Sequence, residues 1–173
     1  MSMCHTKVYT TRNYRDRFTA SGKAKIDAEQ IAECCGYNLI GTGRSHYHNG
    51  VIAYLRRLWS VVKASMRMPR GGMVFLQYPS PIDSFMKIAR QRGNRIILLI
   101  HDINGLRTSA HGGRELTLLK SADVLIVHTE RMREKLQSIG INKPTVVLRI
   151  FDYLDNTLIN SKFNRGGTAC LCR

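Results

Sequence analysis

The chain has 173 residues, of which 43% are hydrophobic and 23% charged. That is the balance of one soluble globular domain, able to bury about 70% of its extended-chain surface, and no stretch is apolar and long enough to cross a bilayer. Twenty-seven Lys and Arg against 12 Asp and Glu, a net charge of +15, favour anionic partners such as nucleic acid, phospholipid headgroups or nucleotide-linked small molecules, without choosing among them.

The opening MSMCHTKVYTTRNYRDRF has no apolar core of the signal-peptide kind, and KVYTT (7–11) within it reads as a strand. The loop that follows carries Arg12, Arg15, Arg17, Lys23 and Lys25, with Tyr14 and Phe18 interleaved. Such a mixture can stack a ring and contact phosphate, or simply lie solvated. SGKAK within it is not a phosphate loop, because Arg17 stands in the place of the first glycine and Ala24 in that of the metal-binding hydroxyl. Residues 21–35 read as a helix on Ala24, Ile26, Ala28 and Ile31, closed by Gly36.

YNLIG (37–41) is the next strand, and GTGRSH (41–46) fails as a dinucleotide fingerprint because His46 replaces the third small residue. Residues 50–67 form a second predicted helix, with Val51, Leu55, Leu58 and Val62 spaced as a stripe facing the core. Its Arg56, Arg57, Lys63, Arg67 and the following Arg70 are then expected in water; together with Trp59 they also suit the surface of an anionic membrane.

Beyond it, apolar strands alternate with short helices. GMVFLQYP (72–79), RIILLIHD (95–102), DVLIVHT (123–129) and TVVLRIF (145–151) are the strands; 82–91, 114–122 and 130–139 are the helices. Unbroken apolar runs in the first three of these strands indicate cover on both faces. The expectation is an α/β fold: a doubly wound, mainly parallel, Rossmann-like sheet of about six strands spanning residues 1–154. Residues 155–173 show neither period and are expected as an irregular, loosely held tail. Five cysteines, with Cys34 next to Cys35 and Cys170 and Cys172 near the end, argue against a secreted disulfide framework and for reduced thiols in a cytoplasm.

In an open parallel sheet, ligands bind beyond the carboxyl ends of the strands. The residues there are Gln77 and Tyr78, then His101, Asp102, Asn104 and Arg107, then His128, Thr129 and Glu130, and finally Asp152 and Tyr153. The opposite edge offers mainly loop formers such as Gly93, Asn94 and Lys143. An imidazole can donate to or accept from a hydroxyl, a neighbouring carboxylate can orient it, and a guanidinium can clamp an anion with paired hydrogen bonds. For single residues the structural alternative stays open: Asp102 and Thr129 can cap the element that follows, and His128 can simply pack. His46, His48, His101, His111 and His128 have neither the spacing nor the Cys partner of a metal site, so no metal is expected.

With these residues in view, the chain resembles the N-terminal half of a bacterial glycosyltransferase of the two-domain GT-B architecture. It is most similar to the group of galactofuranosyltransferases of polysaccharide synthesis and the glucosyltransferases that extend glycans on serine-rich adhesins. The words that carry the resemblance are SGKAKIDAEQIAECCGY (21–37), VFLQYPSP (74–81), LLIHDINGLR (98–107), LLKSADVLIVHTERMREKL (118–136) and IFDYL (150–154). The resemblance implies an acceptor-binding domain facing a separate donor domain that holds a nucleotide-sugar such as a UDP-sugar, with no resident cofactor.

On that reading His101 and Asp102 are the candidate catalytic residues, and Arg12, Tyr14, Lys23, Gln77, Tyr78, Asn104, Arg107, His128 and Glu130 the candidate acceptor-binding ones. The expected partners are a glycan or lipid-linked acceptor, a donor domain or a homo-oligomer partner, and in the periphery a membrane, with the protein at its cytoplasmic face. Without a donor domain the chain is expected to be weak or inactive as a transferase. The alternatives are a basic module that binds nucleic acid or another polyanion, the less favoured reading, and a non-catalytic partner subunit.

Overall fold

The computed structural model describes residues 6–11, 20–42, 51–79, 82–102 and 112–148. These form six strands and five helices in strict alternation: β1 (Lys7–Thr11), α1 (Ala20–Cys34), β2 (Asn38–Thr42), α2 (Val51–Arg67), β3 (Met73–Tyr78), α3 (Asp83–Gln91), β4 (Arg95–Ile100), α4 (Gly112–Ser121), β5 (Val124–Val127), α5 (Glu130–Ser138) and β6 (Thr145–Val147). All strand pairs are parallel, in the order β2-β1-β3-β4-β5-β6. The chain therefore steps outward once, from β1 to β2, and returns through α2 to build the rest of the sheet in the other direction. The reversal between β1 and β3 is where neighbouring crossovers part at the carboxyl edge.

Alternation along each strand sorts the side chains into two unequal layers. Val74 and Leu76 of β3, Ile96, Leu98 and Ile100 of β4, and Leu125 and Val127 of β5 point into the larger core, which α2, α3, α4 and α5 close with Ala64, Phe85, Met86, Leu119, Leu136 and their neighbours. The opposite face is smaller. Tyr9, Phe75 and Leu99 pack there beneath Ala28 and Ala32 of α1, with Tyr37, Ile97 and Ile126 at the margin. Two alanines one helical turn apart let α1 lie close to the sheet. The Tyr9 hydroxyl donates to the Glu33 carboxylate and ties α1 to β1, while burial and that carboxylate push the phenol's pKa up.

The six strands and five helices coincide with the segments expected from the sequence, to within a few residues at their ends. The tail, residues 155–173, lies outside the described residues. Two expectations need correction. The stripe assigned to the core on α2 is corrected at two of its positions: Leu55 and Val62 are exposed, and the helix meets the sheet layer through Ala64 and Met68, with Val61 half-buried. Small Ala64 allows close approach and the flexible Met68 fills the space beside it, so a weakly hydrophobic pair of positions wins over the larger aliphatic ones. The thiols are also not all reduced. Cys34 is free, and Cys35 is disulfide-bonded.

The amino edge of the sheet is a knot of local polar contacts. Gly71 takes a positive φ of 67°, and a Cβ on Gly72 would lie 2.3 Å from the Thr6 carbonyl oxygen and 2.9 Å from Pro69 Cγ. Both positions before β3 thus need glycine, for different reasons. Asn94, only 2% exposed, holds that turn: its Oδ1 accepts from the Gly72 amide at 2.8 Å and its Nδ2 donates to the Pro69 carbonyl at 2.8 Å. Asp123 does the same one strand further on, accepting from the Ile96 amide at 2.7 Å and pairing with Arg90 at 2.9 Å. Asn94, read from the sequence as a mere loop former on this edge, is fold-holding.

Asn94→Ala removes both bonds and leaves a buried amide without its partner. It should cost on the order of 3 kcal/mol in urea unfolding, against about 0.5 kcal/mol or less for the exposed control Gln91→Ala.

Candidate functional site

At the carboxyl edge, register decides which side chains meet. Gln77 of β3 pairs in register with Leu99 of β4, and Ile100 of β4 with Val127 of β5. Gln77 therefore lies on the α1 face with Leu99, and the next α1-side position along β4 is His101. His128 follows Val127 as His101 follows Ile100, so the two histidines leave their strands side by side on the same face.

The contacts bear this out. His101 Nε2 lies 2.7 Å from Gln77 Oε1, and the imidazole rings of His101 and His128 have centroids 5.4 Å apart, inclined by 39°. Gln77 is buried, and its amide nitrogen donates to the Lys25 carbonyl at 3.2 Å and, at 3.5 Å, to a carboxylate oxygen of Glu29. Lys25 Nζ reaches back to the Pro79 carbonyl at 3.4 Å. The site is thus built from the ends of three strands and from one side of α1, where Lys25 and Glu29 stand four residues apart and share a face.

These bonds fix a proton. Both partners of the Gln77 nitrogen are oxygens that can only accept, which sets the orientation of the amide and turns Oε1 toward His101. A carbonyl oxygen also can only accept, so His101 donates from Nε2. Burial, reinforced by the neighbouring His128 and by the Lys25 ammonium, lowers the His101 pKa from 6.5 to about 4. The ring is therefore neutral near pH 7, protonated on Nε2, with its lone pair on Nδ1. Burial lowers His128 as well. Two uncharged imidazoles, with the Lys25 ammonium and the Glu29 carboxylate on the neighbouring helix, make a patch of hydrogen-bonding groups.

The other predicted site residues are distributed as follows. Tyr78 is one residue from Gln77 and so on the other face, half-buried against the larger core. Burial first, and then the hydrogen bond to the Glu115 carboxylate and the charges of Glu115, Asp83 and Asp102, push its phenol pKa up. Asp102 is exposed just beyond β4. Glu130 opens α5 half-buried and pairs with Arg133 at 2.7 Å, and Thr129 before it caps that helix through the Met132 amide at 3.2 Å. Lys23 is in the opening turn of α1 and exposed. Arg12, Tyr14, Asn104 and Arg107 lie outside the described residues. Lys25 and Glu29 are the site residues that strand-end reasoning passed over; the signal for them was their four-residue spacing on the helix that follows β1. Among the described residues no group of three or more His, Cys, Asp or Glu side chains is arranged to hold a metal ion.

Known proteins give this geometry a context. Among curated proteins none matches the chain. A family model described as the N-terminal domain of glucosyltransferase 3-like proteins matches residues 7–150. That match runs from the first residue of β1 to just past β6, taking in every described strand and helix together with Lys25, Gln77, His101 and His128. The chain belongs to the family of glucosyltransferase 3-like N-terminal domains.

Proposed function

We propose that this domain is the acceptor-binding half of a glycosyltransferase of two-domain GT-B form, which moves a sugar from a nucleotide-sugar such as a UDP-sugar onto a glycan or a lipid- or protein-linked saccharide. The observation that carries the reading is the fixed His101–Gln77 bond beside His128, at the carboxyl edge of the sheet. Neutral imidazoles and a carboxamide exchange hydrogen bonds with hydroxyl groups without the desolvation cost of a buried ion. Sugars are made of such groups. The Gln77 bond holds the His101 ring in one orientation and one tautomer where an acceptor hydroxyl would meet the sheet edge, and Asp102, the next residue, supplies the nearest carboxylate in sequence. Gln77 acts through His101, as a positioning residue.

Sugar transfer needs the donor held against the acceptor in a dry cleft, and orientation supplies much of the rate. On this reading a donor-binding domain, or a second subunit that contributes one, faces the edge where His101 and His128 emerge. The net charge of +15 is the observation that favours the other reading, a polyanion-binding module. The two separate in one titration. Glycans bound with affinity nearly independent of salt, and weakened tenfold or more by His101→Ala, are expected on the first. Tight binding of RNA or DNA with a steep salt slope and no effect of His101→Ala would overturn it.

The protonation state of His101 also makes stability depend on pH. Its pKa is about 4 folded against 6.5 for the ordinary group, so the unfolded chain holds more protons between those values. Stability from this residue is then complete above about pH 6.5 and lost as pH falls toward 4, by up to about 3 kcal/mol. His128 adds a loss of the same sign. Urea midpoints should fall between pH 7 and pH 5 in the wild type, and His101→Asn, which cannot titrate, should flatten that slope.

A further inference from the structure

α2 has an apolar face that the fold does not use. Leu55, Trp59, Val62 and Met66 are 55%, 68%, 41% and 76% exposed. Their spacing of four, three and four residues places them within a sector of roughly 60° on a helix that turns 100° per residue, and along about 16 Å of its length. Ala64, fully buried against the core, lies on the opposite side of the same helix. The stripe is therefore not the edge of a core-facing surface. It is a second face, turned outward.

A row of four large apolar side chains in water marks an interaction surface rather than chance exposure. The charge around it selects the occupant. The helix VIAYLRRLWSVVKASMR has no acidic residue, and Lys63 and Arg67 beside the stripe and Arg70 just past it are exposed. A second copy of the chain, seated by a two-fold axis, would bring these cations against their own images. An anionic surface meets them with opposite charge, and a tryptophan set among aliphatic side chains with a basic flank is the pattern of a helix lying in a bilayer interface.

We propose that the outer face of α2 seats this domain on an anionic lipid bilayer, with Trp59 and Met66 entering the headgroup boundary and Lys63, Arg67 and Arg70 drawn to acidic headgroups. α2 begins after the carboxyl end of β2 and returns to the amino end of β3, so its Leu55 end lies toward the sheet edge that carries His101. The seat needs neither His101 nor a bound glycan, and so stands or falls separately from the transferase reading.

Trp59 is the only tryptophan in the chain, so its fluorescence reports this face alone. The 173-residue protein is titrated with vesicles of phosphatidylcholine alone and of phosphatidylcholine with phosphatidylglycerol, with co-sedimentation alongside. Expected are a blue shift and sedimentation with the anionic vesicles only, weakened by salt. Lys63→Gln with Arg67→Gln should weaken partitioning about thirtyfold, as two basic groups near a charged membrane surface would. Met66→Asp should abolish the shift; the position is exposed, so circular dichroism should show the fold intact. Equal binding to neutral vesicles, no binding to either, or a blue shift that grows with protein concentration in the absence of lipid, which would mean a second copy covers the face, would each overturn the proposal.

Discussion

Parallel register is the constraint from which the rest of this structure follows. When every strand runs the same way, a residue one step past the end of one strand lies beside the residue one step past the end of its neighbour, and both point to the same face. Ile100 opposite Val127 therefore obliges His101 and His128 to emerge together. Gln77, in register with Leu99, is placed on that same face without any dedicated turn or loop. What loops do for many sites, backbone hydrogen-bond ladders do here, so the positions of these three side chains inherit the rigidity of the core. The opposite edge obeys the same rule with the opposite result: Asn94 and Asp123 spend their hydrogen bonds on backbone amides, and the fold closes there.

The uneven cover of the sheet determines where the chemistry can open. Four helices fill one face, and Tyr78, whose side chain goes that way, ends in a half-buried bond to Glu115. Among the described residues only α1 lies on the other, and it is this helix that the side chain of Gln77 meets. Because that helix is anchored through Ala28, Ala32 and the Tyr9–Glu33 bond, its Lys25 and Glu29 are brought to the end of β3 as fixed partners. A longer side chain at either alanine would lift α1 and loosen the contacts that orient the Gln77 amide, some distance from any substrate.

Legibility in the sequence followed the strength of the local signal. Apolar runs bounded by Gly, Asn and Asp gave the strands and helices nearly to their ends, because a buried parallel strand is hydrophobic on both sides and a residue such as Gly36 or Gly140, with φ of 81° and 79°, stops a helix by its backbone alone. The edge that gathers His101, Gln77 and His128 could be read too, since it needs only strand direction. Its two faces were harder: a list of strand-end residues puts Tyr78 beside Gln77, where alternation separates them. Lys25 was hidden among five basic residues of one loop-and-helix segment, because its contacts with Pro79 and Gln77 are tertiary and leave no local signal. α2 failed for another reason. It is apolar on two sides, and hydrophobic spacing cannot say which side faces inward when the winning contact is an alanine.

A net charge of +15 on a protein whose candidate site holds two neutral imidazoles is a separation of roles. Cations near His101 do not make it a cation; with burial they do the reverse, since a positive neighbour such as Lys25 opposes a second positive charge. Exposed cations act differently: on the flank of α2, Lys63, Arg67 and Arg70 stay hydrated and screened. A ligand made of hydroxyl groups and a ligand made of negative charge would then be met by different parts of the same small fold. Salt should discriminate between them more sharply than any single substitution, because it weakens the second contact and leaves the first nearly untouched.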